Sequence, residues 1–511
     1  MNYLLGIDIG TSSTKTVLFN ENGEVITSAL DVYPMYQPRN GWAEQDPDDW
    51  WNATVTSIKE VMAKSKISAK EIRGIGLSGQ MHGLVMLGED NKPLRRSIIW
   101  CDQRTALECE QITSLVGEEK IIEITANPAL TGFTASKIMW IKNNEPDTYR
   151  KCRKILLPKD YIRYKLTGEF ATEVSDASGM QLLDIPKRQW SDYVLAKLDI
   201  DKSLLAKVYE SPEITGTVTT EIAALCNLCE GIPVVGGAGD QAASAIGNGI
   251  VKKGVVSATI GTSGVVFAHL DEISIDKKGR VHTFCHAVPN AWHIMGVTQS
   301  AGLSYKWFRD NFMTAEKFTA DQLDTNPNAI IDKIAATSPP GANGIVYLPY
   351  LMGERTPHLD PNARGVFFGL SGMHTKNDML RAVMEGVVFS LYDCLNIIEE
   401  MGTSPSCVYA GGGGANSPLW RQMMADTFGI DIAVNTSTES GALGVAILAG
   451  VGAGVYKDVV SACDSIIRMQ DSQSPTKNNC QMYSEMYNVF TSLYTSLKND
   501  FVNLAKITQI N

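Results

Sequence analysis

Apolar residues crowd the segment YLLGIDIG, break at Gly10 and a Thr/Ser cluster, and return in TSSTKTVLF. This pattern predicts two strands joined by a turn, with a second turn at ENG and a third strand at EVITSAL. From residue 46 the period lengthens. Trp50, Ile58 and Val61 fall on roughly one face, Asp46 can cap and Pro47 suits a first turn, so a helix is predicted over 46–63. The run IRGIGLSG then predicts a strand that leads into the loop QMHG. Strands alternating with helices predict an α/β architecture. Near the end, apolar residues at 483, 487, 490, 494, 497, 501 and 504 mark one face of a long closing helix.

One pattern occurs twice. IDIGTSSTKTVLF is echoed by ATIGTSGVVF at 258–267, each a strand ending in IGTS before another apolar strand. Their placement near the starts of two halves of similar length predicts an internal duplication. The polar, glycine-rich stretch GNGIVKKG at 247–254 predicts the boundary, giving one domain over 1–247 and another over 248–511. The second half repeats the rhythm, with GIVYLPYL and CVYAGGGG as predicted buried strands. A length of 511 residues agrees with two large domains.

Composition removes several classes of partner. The net charge of −11 and the lack of a basic stripe argue against nucleic acid. No stretch predicts a membrane span, and MNYLLGIDIG has no basic region to make it a signal peptide. Ten scattered cysteines predict reduced thiols in the cytoplasm rather than a disulfide framework. An anionic ligand must then be held by local features, such as backbone N–H groups and a metal.

Three glycine/hydroxyl loops follow strands: DIGTSSTK at 8–15, TIGTSG at 259–264 and AGGGGAN at 410–416. None is a Walker A loop or a dinucleotide fingerprint. Singly, each reads as a tight hairpin turn. Together they predict a split phosphate cradle, in which glycines let backbone amides approach an anion and Thr11 and Thr262 add hydroxyl donors. In VVGGAGDQAASAIGNG at 234–249 an apolar strand ends in glycines and Asp240 opens a helix. Locally, Asp240 reads equally as an N-cap or as a general base at the mouth of a cleft. Asp8 ends the first strand beside a phosphate loop, where a carboxylate needs an intervening cation. It is the candidate Mg²⁺ ligand, set against a buried Asp satisfied by turn amides.

The ordered set WAEQDPDDWW, SGQMHG, IIWCDQRT, GFTASK, LLPKDYIRYKLTGEFATEVSDASG, GAGDQAA, IGTSG, HTFCHA, LPYLMGERTPH, RGVFFGL and AGGGGAN resembles the FGGY family of carbohydrate kinases. The likeness runs from DIGTSSTK to at least GALGVAILAG at 441–450. It implies two ribonuclease-H-like domains, similar in fold to actin and hexokinase, flanking a central cleft. It implies ATP with Mg²⁺, and a ketopentose, D-xylulose, phosphorylated to D-xylulose 5-phosphate. Asp240 resembles the family's catalytic base. Met81 and His82 resemble its sugar-contacting pair, with Gln80, Trp100 and Asp102 placed beside them. Thr11, Gly261, Thr262, Gly412, Gly413 and Asn416 resemble its nucleotide site. A homodimer is a further family expectation. Two positions depart from the pattern. Gln241 follows the base where many relatives have Asn, and Lys15 stands where glycerol kinases carry Arg. The alternatives are a family member acting on another sugar, polyol or sugar acid, and an actin-like nucleotide switch that binds protein.

Other residues invite chemistry and read more simply as structure. Cys226 and Cys229 form a lone CxxC, and His282, Cys285 and His286 lie close in sequence; packed roles are predicted for both groups. Trp100 and Phe133 read equally as an apolar wall for the sugar or as core.

Overall fold

In the computed structural model, which describes residues 1–435 and 439–508, the first apolar runs form β1 (Tyr3–Ile9), β2 (Ser13–Asn20) and β3 (Val25–Val32). These three strands make an antiparallel meander. β4 (Ile72–Gly79) lies parallel to β1 on its other side. β5 (Ile214–Thr217) and β6 (Pro233–Val235) follow, and the sheet order is β5-β6-β4-β1-β2-β3. A short β7 (Ala238–Gly239) pairs with the end of β4.

The second sheet repeats this plan. It comprises β8 (Val255–Ile260), β9 (Gly264–Leu270), β10 (His282–Cys285), β11 (Trp292–Thr298), β12 (Cys407–Gly412), β13 (Ile432–Asn435) and β14 (Met469–Gln473). Its order is β10-β11-β9-β8-β12-β13-β14. β8, β9 and β11 form the antiparallel meander, while β12 and β13 run parallel to β8. The equivalent first strands, β1 and β8, carry the two IGTS segments at their ends. These are two ribonuclease-H-like domains of the actin-like type.

The helix predicted from residue 46 is α1 (Pro47–Ser65). Asp46 accepts the Asp48 N–H at 3.0 Å as its cap, and Lys66 ends it in a left-handed turn. The helix lies chiefly on β2 and β3, and Trp50, Ile58 and Val61 enter one buried core with Leu5, Ile7, Leu18 and Ala29. Burying each such side chain is worth about 1.5–3 kcal/mol. Further along come α2 (Thr134–Asn144), α3 (Pro158–Thr167), α4 (Asp240–Gly247), α5 (Ala301–Phe312), α6 (Lys376–Glu400), α7 (Pro418–Phe428), α8 (Ser440–Gly452) and α9 (Lys477–Thr508).

Chain order and packing part company at α8. It lies beyond residue 248 yet packs on the N-terminal sheet, where a Cβ on Gly6 or Gly76 would collide with the carbonyl of Ala442 or Val445. It also crosses α4, with Gly444 against Ala243 and Gly247 against Ser440. Glycine at these positions allows backbone-to-backbone contact, so α8 lies close against both α4 and the N-terminal sheet.

Two predicted elements differ in detail. GIVYLPYL yields only a three-residue strand, Val346–Leu348, which pairs with Val366–Phe368 outside the main sheets. It is buried between Phe389 of α6 and the stripe of α9 formed by Tyr483, Tyr487, Phe490, Tyr494, Leu497 and Phe501. Leu504, the last residue of the predicted stripe, is exposed, because α9 outruns the surface it covers.

Candidate active site

Three strand ends stand side by side. Ile9 of β1 pairs with Gly79 of β4, and Gly79 pairs with Gly239 of β7. Ligands in open α/β sheets bind beyond such carboxyl ends. Asp8, the QMHG loop and Asp240 are thereby brought to one place from three distant parts of the chain.

Gly239 takes the N-cap position with extended backbone (φ −59°, ψ 150°), so Asp240 is the first residue of α4 and not its cap. The side chain stays partly exposed in the cleft. Burial, and then the Asp8 carboxylate, push its pKa up to about 7, while the Gln241 amide groups pull it partly back. A carboxylate there accepts a proton near neutral pH, the condition for an efficient general base.

Burial likewise raises Asp8, opposed by Ser78 and raised again by Glu439. Its Oδ1 is buried without a hydrogen-bond partner. Lys15 is ion-paired to Glu439 rather than to Asp8. An orphaned carboxylate oxygen beside a second carboxylate fits a divalent cation. Among the described residues no group of three or more His, Cys, Asp or Glu could hold a metal. Mg²⁺ takes one or two carboxylates and fills its other positions with phosphate oxygens and water.

His82 adopts a left-handed backbone (φ 69°). Its carbonyl accepts from Thr134 Oγ1 at 3.0 Å and from Lys137 Nζ at 3.2 Å. Nδ1 lies 2.9 Å from the Gly179 carbonyl oxygen, which can only accept, so Nδ1 carries the proton. Burial, reinforced by Lys137, lowers the ring pKa to about 3. His82 is therefore neutral, and Nε2 is left with a lone pair for a hydroxyl donor. Met81 packs its side chain across Gly239, where a Cβ would lie 2.9 Å from its Cγ. Trp100 is 46% exposed and donates its indole N–H to Thr11 Oγ1 at 2.9 Å, joining its loop to the turn after β1. Phe133 is 4% exposed and packed on His82 at 4.9 Å; it is core behind the histidine.

Two expected substrate contacts are corrected. Gln80 is turned inward at 2% exposure, where Nε2 donates to the Gly10 carbonyl and to Gln45 Oε1. It holds the Gly10–Thr11 turn from behind. Asp102 has no exposed surface. It accepts from the Ala43 N–H at 2.6 Å and forms an ion pair with Arg104 at 2.7 Å. Both oxygens are committed there, so Asp102 shapes its loop and does not face the sugar.

Across the cleft, a cavity of about 250 Å³ is lined by Gly261, Thr262, Tyr305, Asp332, Gly413 and Ser417, among others. Asn416 lies on an adjoining hollow that shares Asp332, Gly413 and Ser417. Gly412 has a left-handed backbone (φ 70°), and a Cβ there would sit 2.5 Å from the Ile260 carbonyl oxygen. The N-terminus of α5 meets the Gly261–Thr262 loop directly, with the Gly302 and Leu303 amides donating to the carbonyls of Gly261 and Thr262 at 2.8 and 3.1 Å. α5 lies outside the glycine/hydroxyl motifs that point to this cavity in the sequence. Its signal was the helical spacing of Gly302, Tyr305, Lys306 and Arg309 on the cavity face, opposite buried Ala301, Ser304 and Phe308.

The tempting clusters are spoken for. His282 Nδ1 pairs with Asn127 Oδ1 at 2.7 Å, and His286 Nε2 with the Ile250 carbonyl at 3.0 Å. Cys226 is buried and Cys229 half-buried, both unbridged.

Two family models account for most of the chain: the N-terminal domain of the FGGY family of carbohydrate kinases over residues 3–247, and its C-terminal domain over 256–453. The chain belongs to the FGGY family of carbohydrate kinases. Its relatives include a xylulose kinase of Bacillus subtilis (strain 168), 39% identical with 98% of each chain covered. They also include a gluconokinase of Bacillus licheniformis, 35% identical over 99% of this chain and 98% of the relative. A solved xylulose kinase from Lactobacillus acidophilus superimposes with a TM-score of 0.92 at 28% identity, covering 99% of this chain and 100% of that one. FGGY membership makes the protein a sugar kinase, a phosphotransferase that uses ATP. The reading as a nucleotide switch without sugar chemistry therefore falls away.

Proposed function

We propose that the protein transfers the γ-phosphoryl group of ATP to the terminal hydroxyl of D-xylulose, giving D-xylulose 5-phosphate, with Asp240 as the general base. The observation that carries this reading is the row of strand ends that brings Asp240 and the Met81–His82 loop together, with a cavity at Thr262 and Gly413 in the other domain. The relatives named as xylulose kinases support the choice of sugar.

Phosphoryl transfer asks the protein for alignment and charge neutralisation more than for covalent chemistry. Neutral His82 accepts a hydrogen bond from a sugar hydroxyl at Nε2, and Met81 floors the pocket. Asp240 takes the proton of the attacking hydroxyl. Gly261, Thr262, Gly412 and Gly413 cradle the nucleotide, Asn416 borders it, and Thr11 donates to phosphate from the other lobe. Asp8 would hold Mg²⁺, which when bound neutralises phosphate charge. We place the reaction in the cytoplasm. The ten cysteines are all unbridged, and no described helix is long and apolar enough to cross a membrane.

The gluconokinase relative favours a sugar acid as the second reading. A coupled ADP-release assay with D-xylulose, D-ribulose, glycerol and gluconate tests both. Xylulose should give the highest kcat/KM, and a preference for gluconate would overturn the proposal. Asp240→Ala should lose at least about a hundredfold in kcat while still binding ATP, the scale of general-base catalysis.

A further inference from the structure

A charged core lies behind the loop that carries Asp240. Lys159 Nζ sits 2.9 Å from Asp160, 3.2 Å from Glu173 and 3.2 Å from Asp176. Arg163 also pairs with Asp160. All five side chains are at most 1% exposed. Burial raises the Asp176 carboxyl above its ordinary range; Lys159 opposes this, and the Asp160 and Glu173 carboxylates reinforce it. Even so, stability is a weak reason for such a cluster. Desolvating ions commonly costs as much as their pairing returns, and well-packed apolar residues often do as well.

What the cluster grips is more informative. Arg163 Nη1 donates to the Gly236 carbonyl at 2.6 Å. Glu173 accepts from the N–H groups of Ser175 and Asp176, from Ser175 Oγ at 3.0 Å and from Ser211 Oγ at 2.8 Å. With its proton given to Glu173, Ser175 Oγ accepts the Gly239 N–H at 3.1 Å. The loop Gly236–Gly239 is thus pinned at both ends. Four residues beyond Ser175, the Gly179 carbonyl receives His82 Nδ1–H. One rigid segment therefore touches both the base loop and the sugar clamp.

We infer that Ser175 is a positioning residue for phosphoryl transfer: its hydroxyl relays Glu173 to the Gly239 N–H and so fixes Asp240 against the sugar held by His82. This rests on the reading of Asp240 as the base. Ser175 touches no substrate. Its hydroxyl sets the register between the proton acceptor and the attacking oxygen, to which the rate is sensitive on the scale of an ångström.

The test uses the full-length enzyme with Ser175→Ala, Ser175→Thr and Asp240→Asn, each checked for its melting midpoint and assayed by ADP release with xylulose and ATP varied separately. Ser175→Ala should lower kcat about tenfold, leave both KM values within about twofold, and displace the acid limb of the pH–rate profile. Ser175→Thr, which keeps the hydroxyl, should recover most of the loss. If Asp240→Asn is inactive while Ser175→Ala turns over within twofold of the parent, the positioning role is wrong and the base assignment stands. Should Asp240→Asn itself remain active, the base assignment fails and takes this inference with it. A fall in kcat matched by an equal rise in KM would mark the hydroxyl as structural and also overturn the inference.

Discussion

Gly179 offers the sharpest probe of the sugar pocket. A Cβ there would overlap His82 Nδ1 and lie 2.5 Å from Cε1, whereas ordinary contact begins near 3.4 Å. The ring must therefore retreat by about 1 Å. It has little room, since the His82 carbonyl is held by Thr134 and Lys137 and the ring leans on Phe133. Gly179 is not among the residues with positive φ, so its own backbone tolerates alanine and the effect is purely steric. Gly179→Ala should break the Nδ1–H to carbonyl bond, a loss of about 1 kcal/mol. It should also misplace Nε2 by about 1 Å, a shift that can cost up to about a hundredfold in rate. The expected outcome is a KM for xylulose raised about tenfold and a lowered kcat, with ATP affinity unchanged. Steady-state kinetics for each substrate and calorimetry with ATP measure this. A xylulose KM within twofold of the parent would refute the assignment of His82 to the sugar.

Two further outcomes follow from the cleft. Because Asp240 must be ionised to accept a proton and its pKa is raised to about 7, log kcat/KM should climb with slope near one below pH 7 and flatten above it. The sign for stability is opposite. A carboxyl raised on folding favours the folded state while protonated, and that contribution fades as pH climbs from the unfolded range towards 7 and is gone above it. Asp240→Asn should accordingly melt higher than the parent at pH 8, with the gap closing by about pH 4; equal midpoints at both values would contradict this. On the nucleotide side, a Cβ on Gly302 would collide with the Gly261 carbonyl oxygen and push α5 off the Thr262 loop. Gly302→Ala should weaken ATP binding about tenfold by calorimetry and leave the sugar KM unaltered, the size expected when a loop that positions ligand shifts by a fraction of an ångström.

Much of this protein was open to reading along the chain. A period of two in YLLGIDIG and TSSTKTVLF, a helical stripe in α1 and another in α9, and glycine-rich turns after strands are local properties of neighbouring residues. They carry directly into elements, because side-chain alternation and helical pitch decide which residues face a core. The echo of IGTS foretold two sheets of one topology, and the ordered motifs pointed to the family. Orientation was another matter. Gln80 and Asp102 sit in motifs expected to border the sugar, but each turns inward to partners on other segments, Gln45 and Ala43 among them. The bond that fixes the tautomer of His82 spans 97 residues, and α8 returns from beyond residue 440 to lie on β1 and β4. Contacts of that reach depend on how whole elements stack, and no periodicity within one element records what lies across from it. The buried cluster around Lys159 is the extreme case. In the chain it is a scatter of charged residues that a solvated face would equally explain, and only close packing, which removes the water and brings Glu173 to Ser175 and Ser175 to Gly239, turns it into a frame for the base.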